Sequence, residues 1–384
     1  MPKAALLLVL FAGACQPYVP ATSPERALVE LAPADFPAFA DDLSYAKLDQ
    51  AIGHSLDALG RLAASDPGRT YRFGPVRVPL AKVVDSLEQF RALIASRPDA
   101  KTLRAALQAG FRVFQSTGAD REHHVLFTGY YLPELDASAT KDPTHPWPLY
   151  GPPPDLVVAR AKDFPQLTSD LVGRVVGGRL EPYPTRADIA RGEVPSAAAV
   201  AWVSSAVDAF FLEIQGSGLL RYPGGATKVA SFAGKNGRRY VAIGAELIRR
   251  GEVSRDAMSM QAIRAWLAAH PDQREALLDT NPSYVFFRLG ADATGSLGVP
   301  VTGGRTLATD FRVFPKGALS FIETARPDGA GRTTPLTRFM LDQDTGGAIR
   351  TAAHVDVFLG AGPEAAEVAG RMKQQGKLYY LLAK

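Results

Sequence analysis

The sequence predicts a mainly β protein with added helices. It has 35 glycines and 29 prolines among 384 residues, a content that favours many turns and short strands over a helical bundle. Hydrophobic residues make up 46% of the chain and charged residues 21%, as in soluble globular proteins with a substantial core. Because short strands with irregular connections outnumber helices, we expect barrels rather than a doubly wound sheet.

The helices are predicted from apolar residues that recur at a spacing of three to four. The segments with this spacing are 83–94, 103–114, 245–251, 258–269 and 363–372. Gly251 suits the position after a helix, Ser254 suits an N-cap, and Pro363 suits a first helical turn. The N-terminal region should therefore supply a helical layer.

The strands are predicted from short runs of aromatic and β-branched residues that Gly or Pro mostly bound. These runs are 125–131, 209–214, 284–288, 318–323, 339–342 and 378–382. No internal repeat of fixed period accompanies them, so a solenoid or a propeller is not expected.

The N-terminus has the layout of a secretory signal. One cation in Met1-Pro-Lys precedes an apolar run that is too short to span a bilayer, and small residues then lead to Cys15. Cys15 is the single cysteine, so the chain cannot form an internal disulfide. Ala12-Gly-Ala-Cys15 resembles a bacterial lipobox, which implies that Cys15 is lipidated, although Ala12 stands where Leu is commonest. A plain signal peptide with an incidental cysteine is the alternative.

Charge and the types of possible ligand residues argue against several classes of function. The net charge is only +4 and the Lys and Arg residues are scattered, so we expect no nucleic-acid partner. His123 and His124 would point to opposite faces of a strand, so one metal could not use both. No His-Glu-x-x-His, paired cysteines or Walker loop occurs. We therefore expect neither a metal nor a cofactor.

The segment 342–358 contains three aspartates, Asp342, Asp344 and Asp356, between apolar runs. Asp344-Thr-Gly is typical of aspartic proteases, which need two such aspartates sharing a proton. The motif occurs once here, and Asp279-Thr-Asn lacks the glycine. A homodimer would supply a second copy, but proteases of that kind are far shorter. Carboxylate chemistry of another kind is thus predicted.

Motifs along the chain, taken in order, resemble the membrane-bound lytic murein transglycosylase A family. They are Phe127-Thr-Gly-Tyr-Tyr131, Val207 to Gly218, Ser259-Met-Gln-Ala-Ile-Arg-Ala-Trp266, Asn281 to Arg288, and Leu307 to Gly360. The last of them resembles a C-terminal barrel domain with three characteristic aspartates, which in this chain are Asp310, Asp344 and Asp356. The likeness runs from about Thr128 to the C-terminus, and the lipobox agrees with it.

The resemblance implies a double-psi β-barrel domain and a second, smaller β-barrel domain inserted into it, with a groove between them for a glycan strand. Residues 1–15 would be the signal peptide and lipobox. Residues 16–128 and 281–384 would form the large domain, with a helical N-terminal layer and the barrel that carries the three aspartates. Residues 129–280 would form the inserted domain.

The resemblance also implies an enzyme that cleaves the β-1,4 bond between N-acetylmuramic acid and N-acetylglucosamine in peptidoglycan. The muramyl C6 hydroxyl then closes onto C1 to give a 1,6-anhydro product. By the match of motifs, Asp356 is the general acid/base, a role in which the carboxyl must hold a proton near neutral pH. Asp344 and Asp310 would be supporting carboxylates that shape the site.

Two rivals remain open at this stage. A non-catalytic peptidoglycan-binding lipoprotein would keep the groove without a protonated aspartate. A murein hydrolase would use Asp344 and Asp356 as a base and acid pair. For Asp344, a purely structural role in the turn is as well supported as a functional one, because Thr-Gly-Gly follows it.

The expected substrate-binding residues are aromatic, polar or glycine. They are Thr128, Tyr130, Gln215, Ser217, Phe287, Gly346 and Gly347. Aromatics alternate along strands, so one of each pair, Tyr130/Tyr131 and Phe286/Phe287, is expected to face a sugar. The two glycines would permit close approach of the backbone or a positive φ. His354 should share the strand face of Asp356, but we expect it to be packed or solvent-facing.

The predicted partners and location follow from the same features. Peptidoglycan glycan strands are the expected substrate, and the membrane is reached through the lipid anchor on Cys15. Gln16 after that cysteine favours the outer membrane, facing the periplasm of a Gram-negative bacterium. The sequence identifies no protein partner.

Overall fold

The structure is a computed structural model that describes residues 18–164, 166–328 and 332–384. Its strands, numbered in chain order, are β1 Leu28–Glu30, β2 Thr70–Phe73, β3 Val76–Pro79, β4 Phe111–Ser116, β5 Val125–Leu132, β6 Glu134–Ser138, β7 Trp147–Tyr150, β8 Val157–Ala159, β9 Leu171–Val176, β10 Arg179–Pro182, β11 Ala199–Val203, β12 Ser217–Arg221, β13 Thr227–Lys235, β14 Val285–Gly290, β15 Thr306–Ala308, β16 Leu319–Pro327, β17 Thr333–Asp344, β18 His354–Ala361 and β19 Lys373–Ala383. The predicted mainly β class is confirmed.

The α-helices flank these strands. They are α1 Pro24–Ala27, α2 Leu48–Ser65, α3 Leu80–Ile94, α4 Ala100–Gly110, α5 Arg186–Asp188, α6 Ala206–Gln215, α7 Ile243–Arg250, α8 Met260–Ala269, α9 Arg274–Leu278 and α10 Pro363–Arg371. Single 3₁₀ or π turns occur at Pro33–Asp35, Ala161–Asp163, Ile189–Glu193, Ser196–Ala198, Pro223–Gly225 and Pro271–Gln273. No helix in the described residues is long and apolar enough to cross a membrane. The predicted signal and Cys15 lie outside the described residues.

The largest sheet closes into a barrel. Its strand order is β1-β4-β19-β16-β17-β15-β18-β5, and β5 pairs in addition with β19. Closure is possible because β19 is long. Its first residues, Lys373 to Gly376, pair with β5, while Tyr379 to Ala383 pair with β4. Two pairs of neighbouring strands in the ring run parallel, β15 with β17 and β18 with β5.

The predicted N-terminal helical layer packs on this barrel. The apolar faces of α2, α3 and α4 are buried in the same core as strands β16 to β19. A buried ion pair also joins the barrel to the segment before α2: the Arg305 guanidinium, fully buried, donates to both oxygens of Asp41 at 2.6 and 2.8 Å. The helix α2 was not predicted, although its buried residues recur at a spacing of three to four: Leu48, Ala51, Ile52, Ser55, Ala58 and Leu59.

The helix predicted over 103–114 is wrong beyond Gly110. Asp99 caps α4 by accepting from the Thr102 N–H at 2.7 Å, and the helix ends at Gly110. Residues 111–116 instead form β4, which pairs with β19 and β1. The apolar side chains of Phe111 and Val113 alternate with polar Arg112, so the period changes from helix to strand at the glycine.

The strand predicted over 209–214 is also wrong, because this segment lies in α6. Ser205 caps the helix by accepting from the Asp208 N–H at 3.1 Å, and Gly216 ends it with φ 77°. The buried run that contains Phe210 and Phe211 is apolar on consecutive positions. Such a run fits a buried helix as well as a buried strand, and the capping residues decide between them.

The later helices were predicted more closely. Gly251 follows α7 with φ 77°, as its position suggested. The N-cap of α8 is Ser259, which accepts from the Ala262 N–H at 3.1 Å, rather than Ser254. Ser254 instead accepts from the Ala257 N–H in the preceding turn.

A second sheet is formed by the middle of the chain. Its six strands have the order β14-β13-β12-β6-β11-β7, and a three-stranded sheet β10-β9-β8 lies within the same stretch of sequence. The strand β14, Val285–Gly290, follows residue 280, where the insert was expected to end, yet pairs with β13. At the other end, β5 pairs with β18 as far as Leu132, past the expected start at 129.

Candidate functional site

Two parallel strands of the barrel bring Asp356 beside Thr128. The register of β18 and β5 pairs Asp356 with Thr128, and β15 pairs Ala308 with Asp356 on the other side. The neighbours Val355 and Val357 are fully buried, whereas 25% of the Asp356 side chain is exposed. The carboxyl of Asp356 thus lies on the opposite face from these two core valines, partly open to solvent.

One oxygen of Asp356 is held by two polar side chains, Thr128 and His354. The Thr128 hydroxyl donates to Oδ1 of Asp356. The Nε2 atom of His354 lies 2.8 Å from Oγ1 of Thr128 and 3.2 Å from Oδ1 of Asp356. Thr128, which is predicted to bind substrate, therefore uses its hydroxyl proton in the hydrogen bond to Asp356. The prediction that His354 is packed or solvent-facing missed these contacts. Its position two residues before Asp356, on the same strand face, was the signal for them.

Asp344 ends β17 and accepts three hydrogen bonds from three different segments. The Ser296 and Thr345 N–H groups donate to Oδ1 at 2.9 and 2.8 Å. The Tyr130 hydroxyl donates to Oδ2 at 2.9 Å. Burial raises the pKa of Asp344 above its usual value, although these hydrogen bonds oppose the rise. Asp344 thereby ties β5 and the loop before β15 to its own turn.

Tyr130 of β5, predicted to bind sugar, contacts residues on the strands of both aspartates, Asp344 of β17 and Phe358 of β18. Its ring contacts Phe358 with the centroids 5.0 Å apart and tilted by 38°. Burial, together with the negative charge of Asp344, raises the pKa of the Tyr130 hydroxyl well above its usual value. The hydroxyl is therefore a permanent donor to Asp344 at neutral pH. Its neighbour Tyr131 is 7% exposed and packs against α10.

The two glycines after Asp344 differ from each other. Neither has a positive φ, so that part of the prediction is wrong. A Cβ on Gly346 would lie 2.9 Å from Cδ1 of Ile349 and 3.5 Å from Oδ2 of Asp356. A Cβ on Gly347 would meet nothing within 4 Å. Gly346 is thus the glycine that lets the turn approach Asp356 closely.

Asp310, the third aspartate of the motif, is engaged by an arginine. Its side chain is 1% exposed, and Arg312 donates to its two oxygens at 2.9 and 2.6 Å. Burial alone would raise the pKa of Asp310, but the hydrogen bonds and charge of Arg312 outweigh it and hold that pKa below the usual value. No hydrogen bond joins it to Asp344 or Asp356 in the described part of the chain.

A buried ion pair beneath Asp344 was missed by the sequence analysis. The Lys316 ammonium lies 2.6 Å from Oδ1 of Asp342, whose side chain is fully buried. Thr309 and Tyr380 donate to the same carboxylate, Tyr380 at 2.6 Å. Lys316 also donates to the backbone carbonyl of Asp344. The lysine and the aspartate are 26 positions apart, so no local pattern pairs them.

The remaining predicted binding residues lie in or near the second sheet. Oε1 of Gln215 accepts from the Tyr131 N–H at 3.2 Å, which brings the end of α6 against β5. Ser217 begins β12 opposite Ser231 of β13 and is half-buried. Phe287 is fully buried in the core of the second sheet, so its ring has no face for a sugar, and that prediction is wrong.

Metal ligands are not grouped in the parts of the chain that the structure describes. Over 18–164, 166–328 and 332–384, no three His, Cys, Asp or Glu residues are arranged to hold an ion. His124, one of the two adjacent histidines, has Nδ1 2.9 Å from Oδ2 of Asp120.

The candidate site consists of Asp356 and Asp344 together with Thr128, His354, Tyr130 and Gly346.

The chain is similar to known proteins over most of its length. The model of the MltA specific insert domain matches residues 126–288, and that of the 3D domain matches residues 305–382. The chain is 35% identical over 280 residues to membrane-bound lytic murein transglycosylase A of Escherichia coli K12, covering 71% of this chain and 70% of that protein. It is 31% identical over 310 residues to the protein of that name from Vibrio cholerae, covering 79% and 77%.

Solved structures are similar over nearly the whole length. A membrane-bound lytic murein transglycosylase from Agrobacterium tumefaciens has a TM-score of 0.76 at 31% identity, covering 93% of this chain and 98% of that one. Escherichia coli MltA with bound chitohexaose has a TM-score of 0.72 at 28% identity, covering 95% and 96%. The likeness therefore includes both sheets and the helices around them.

Proposed function

Because the chain belongs to the membrane-bound lytic murein transglycosylase A family, we propose that it is a peptidoglycan lytic transglycosylase. It cleaves the β-1,4 bond between N-acetylmuramic acid and N-acetylglucosamine and leaves 1,6-anhydromuramic acid ends. The relatives in Escherichia coli and Vibrio cholerae carry the name of this activity. One solved relative holds chitohexaose, a β-1,4-linked chain of N-acetylglucosamine, which supports a glycan as the substrate.

The domain organisation that we propose has a barrel of the double-psi type and an inserted β domain. The closed ring with two parallel strand pairs, β15 with β17 and β18 with β5, supports this type of barrel. Strand pairing favours an insert that runs from the end of β5 to the end of β14, rather than from residue 129 to 280. The glycan strand would lie in a groove between the two.

The acid/base in this proposal is Asp356, and the observation that carries it is the asymmetry of its carboxyl group. Thr128 and His354 both contact Oδ1, whereas Oδ2 has no hydrogen-bond partner among the described residues. With a quarter of the side chain exposed, Oδ2 can reach a substrate atom. A carboxyl with one oxygen held by two polar side chains and an open second oxygen suits proton transfer.

The reaction needs only this one carboxyl. The protonated Asp356 gives its proton to the glycosidic oxygen as the bond from that oxygen to the muramyl C1 breaks. The resulting carboxylate then takes the proton of the muramyl C6 hydroxyl as the C6 oxygen bonds to C1. An internal nucleophile has a high effective molarity, so a second carboxylate to activate water is dispensable.

Asp344 supports the site rather than acting as a base in this proposal. Its oxygens accept hydrogen bonds from Ser296, Thr345 and Tyr130, which fix the carboxylate to three segments of the chain and suit a supporting role. Asp310 is also a supporting residue in this proposal, because both of its oxygens accept hydrogen bonds from Arg312. These contacts favour the transglycosylase over a hydrolase with a base and acid pair.

Substrate contacts in this proposal come from both sides of the groove. On the barrel side, the turn at Gly346 and Gly347 and the partly buried Tyr130 would contact the sugar next to Asp356. On the insert side, Gln215 and Ser217 would hydrogen-bond N-acetyl groups, Gln215 with its amide N–H₂, because Oε1 already accepts from Tyr131.

The location that we propose is the outer membrane, with the enzyme facing the periplasm and anchored through a lipid on Cys15. The relatives are named as membrane-bound. Replacing Cys15 with Ala should release the protein into the soluble fraction while murein cleavage persists. Retention of the Cys15→Ala variant in washed membranes would remove the lipid anchor from this account.

The activity is tested by digestion of purified murein with the wild type and Asp356→Asn. Asparagine keeps the shape and the Oδ1 acceptor but carries no proton to transfer, so turnover should fall by on the order of 10² to 10⁴. Sedimentation with insoluble murein should be unchanged. Murein binding without any cleavage by the wild type would instead favour a non-catalytic glycan-binding lipoprotein.

A further inference from the structure

A chain of three side chains on the parallel strands β5 and β18 ends at the proposed acid/base. Nε2 of His354 lies 2.8 Å from Oγ1 of Thr128, and Thr128 in turn donates to Oδ1 of Asp356. We propose that His354 is a positioning residue for Asp356, an inference that rests on the proposed function. It acts by fixing the hydroxyl of Thr128 and the orientation of the carboxyl.

The number of protons in this chain determines the role of His354. A threonine hydroxyl has one proton, and Thr128 gives it to Asp356, so Oγ1 can only accept from His354. His354 must then carry a proton on Nε2. The neutral imidazole with that proton is sufficient, and no charge on His354 is required.

The consequence for Asp356 is that its two oxygens are no longer equivalent. Thr128 holds Oδ1, and Nε2 of His354 lies 3.2 Å from the same atom. Rotation of the carboxyl would break both contacts, so Oδ2 stays directed away from them. On that side, Gly346 has no side chain, and a Cβ there would stand 3.5 Å from Oδ2. The arrangement therefore keeps the same oxygen available for both proton transfers.

The alternative role for His354 is that of a proton carrier. Both roles need a nitrogen next to Thr128, but only proton transfer needs a group that can gain and lose a proton near neutral pH. Glutamine has an amide N–H₂ at a similar reach from the backbone and does not titrate. Replacement with glutamine thus separates the two roles, and replacement with alanine removes both.

The experiment measures kcat and KM for release of anhydro products from purified murein by His354→Ala and His354→Gln. Loss of the contact should lower kcat about tenfold to a hundredfold in His354→Ala, because small errors in orientation are costly in catalysis. KM should stay within about twofold, since His354 touches no substrate in this proposal. His354→Gln should recover most of the lost kcat.

Thr128→Val supplies the matched control, because it breaks the same chain at its middle member. The double variant with His354→Ala should be no slower than Thr128→Val alone, since the histidine then has no hydroxyl to fix. Independent effects that multiply would overturn the proposal. If His354→Ala folds poorly, His354→Gln compared with the wild type still tests the proposal, because it should keep most of the wild-type kcat.

Further outcomes also contradict the proposal. Wild-type kcat in His354→Ala would remove any positioning role. Equal loss of kcat in His354→Gln and His354→Ala would make His354 a proton carrier, and a change in KM alone would make it a substrate contact. Asp356→Asn is assayed in parallel, to distinguish failure of the inference about His354 from failure of the proposed function. If that variant is also fully active, the proposed acid/base itself is wrong.

Discussion

Asp342 and Asp356 lie on either side of the same short strand of the barrel, yet their surroundings are opposite. The strand β15 pairs Leu307 with Asp342 and Ala308 with Asp356. Asp342 is fully buried and pairs with the Lys316 ammonium at 2.6 Å. Asp356 is a quarter exposed, and its contacts are with a threonine hydroxyl and an imidazole.

The difference in surroundings indicates that Asp342 and Asp356 have different roles in the same barrel. A buried carboxylate with a buried cation has little freedom to change its charge, because either member alone would be stranded in a medium of low dielectric constant. The partly exposed carboxyl of Asp356 contacts a hydroxyl and an imidazole and, among the described residues, has no buried Lys or Arg partner to strand. We expect the first arrangement to stabilise the fold, and the second is the one that we propose for catalysis.

The largest effect on stability is expected at Asp342. Asp342→Asn would leave the Lys316 charge buried without its partner, which costs about 3–5 kcal/mol of unfolding free energy. Asp356→Asn keeps an acceptor for Thr128 and removes no ion pair with Lys or Arg, so its effect should be within about 1 kcal/mol. Urea unfolding of both variants measures the difference. Equal losses would mean that the two sites are not distinguished in this way.

A smaller, pH-dependent effect on stability is expected at Asp344 and Asp310, two further aspartates of the barrel whose surroundings differ. Burial raises the pKa of Asp344 in the folded state, so the wild type should lose stability relative to Asp344→Asn as the pH rises above about 4. The pKa of Asp310 is lowered by Arg312, so the wild type should lose stability relative to Asp310→Asn as the pH falls below about 4.

The measurement is urea unfolding of the wild type and each variant at a series of pH values. The two variants serve as controls for each other, because the predicted slopes have opposite signs. Slopes of the same sign would show that the surroundings of these carboxyls are not as the hydrogen bonds indicate.

Sequence patterns predicted the local elements best where a cap or a glycine fixed the boundary. Gly251 marked the end of α7 correctly. They failed where an apolar run fits two structures, as at 209–214, or where the period changes within a run, as after Gly110. The pairing of distant strands decides those cases, and local composition does not contain it.

The site was predicted in part for the same reason. Asp344, Asp356 and Gly346 lie within one motif, and the structure brings them together. The partner of Asp356 is Thr128, which is 228 positions away, and Lys316 pairs with Asp342 across 26 positions. Phe287 was misjudged because alternation along a strand gives two faces but not which face is covered. Burial of that face by α6 and β11 is a tertiary property.

The mass of the products from purified murein tests the central claim most directly. If Asp356 alone transfers both protons and the C6 hydroxyl is the nucleophile, the wild type releases muropeptides with 1,6-anhydro ends, lighter by one water than hydrolytic products. Muropeptides with reducing muramic acid ends would mean that water is the nucleophile, and the account of a single carboxylate at Asp356 would be contradicted.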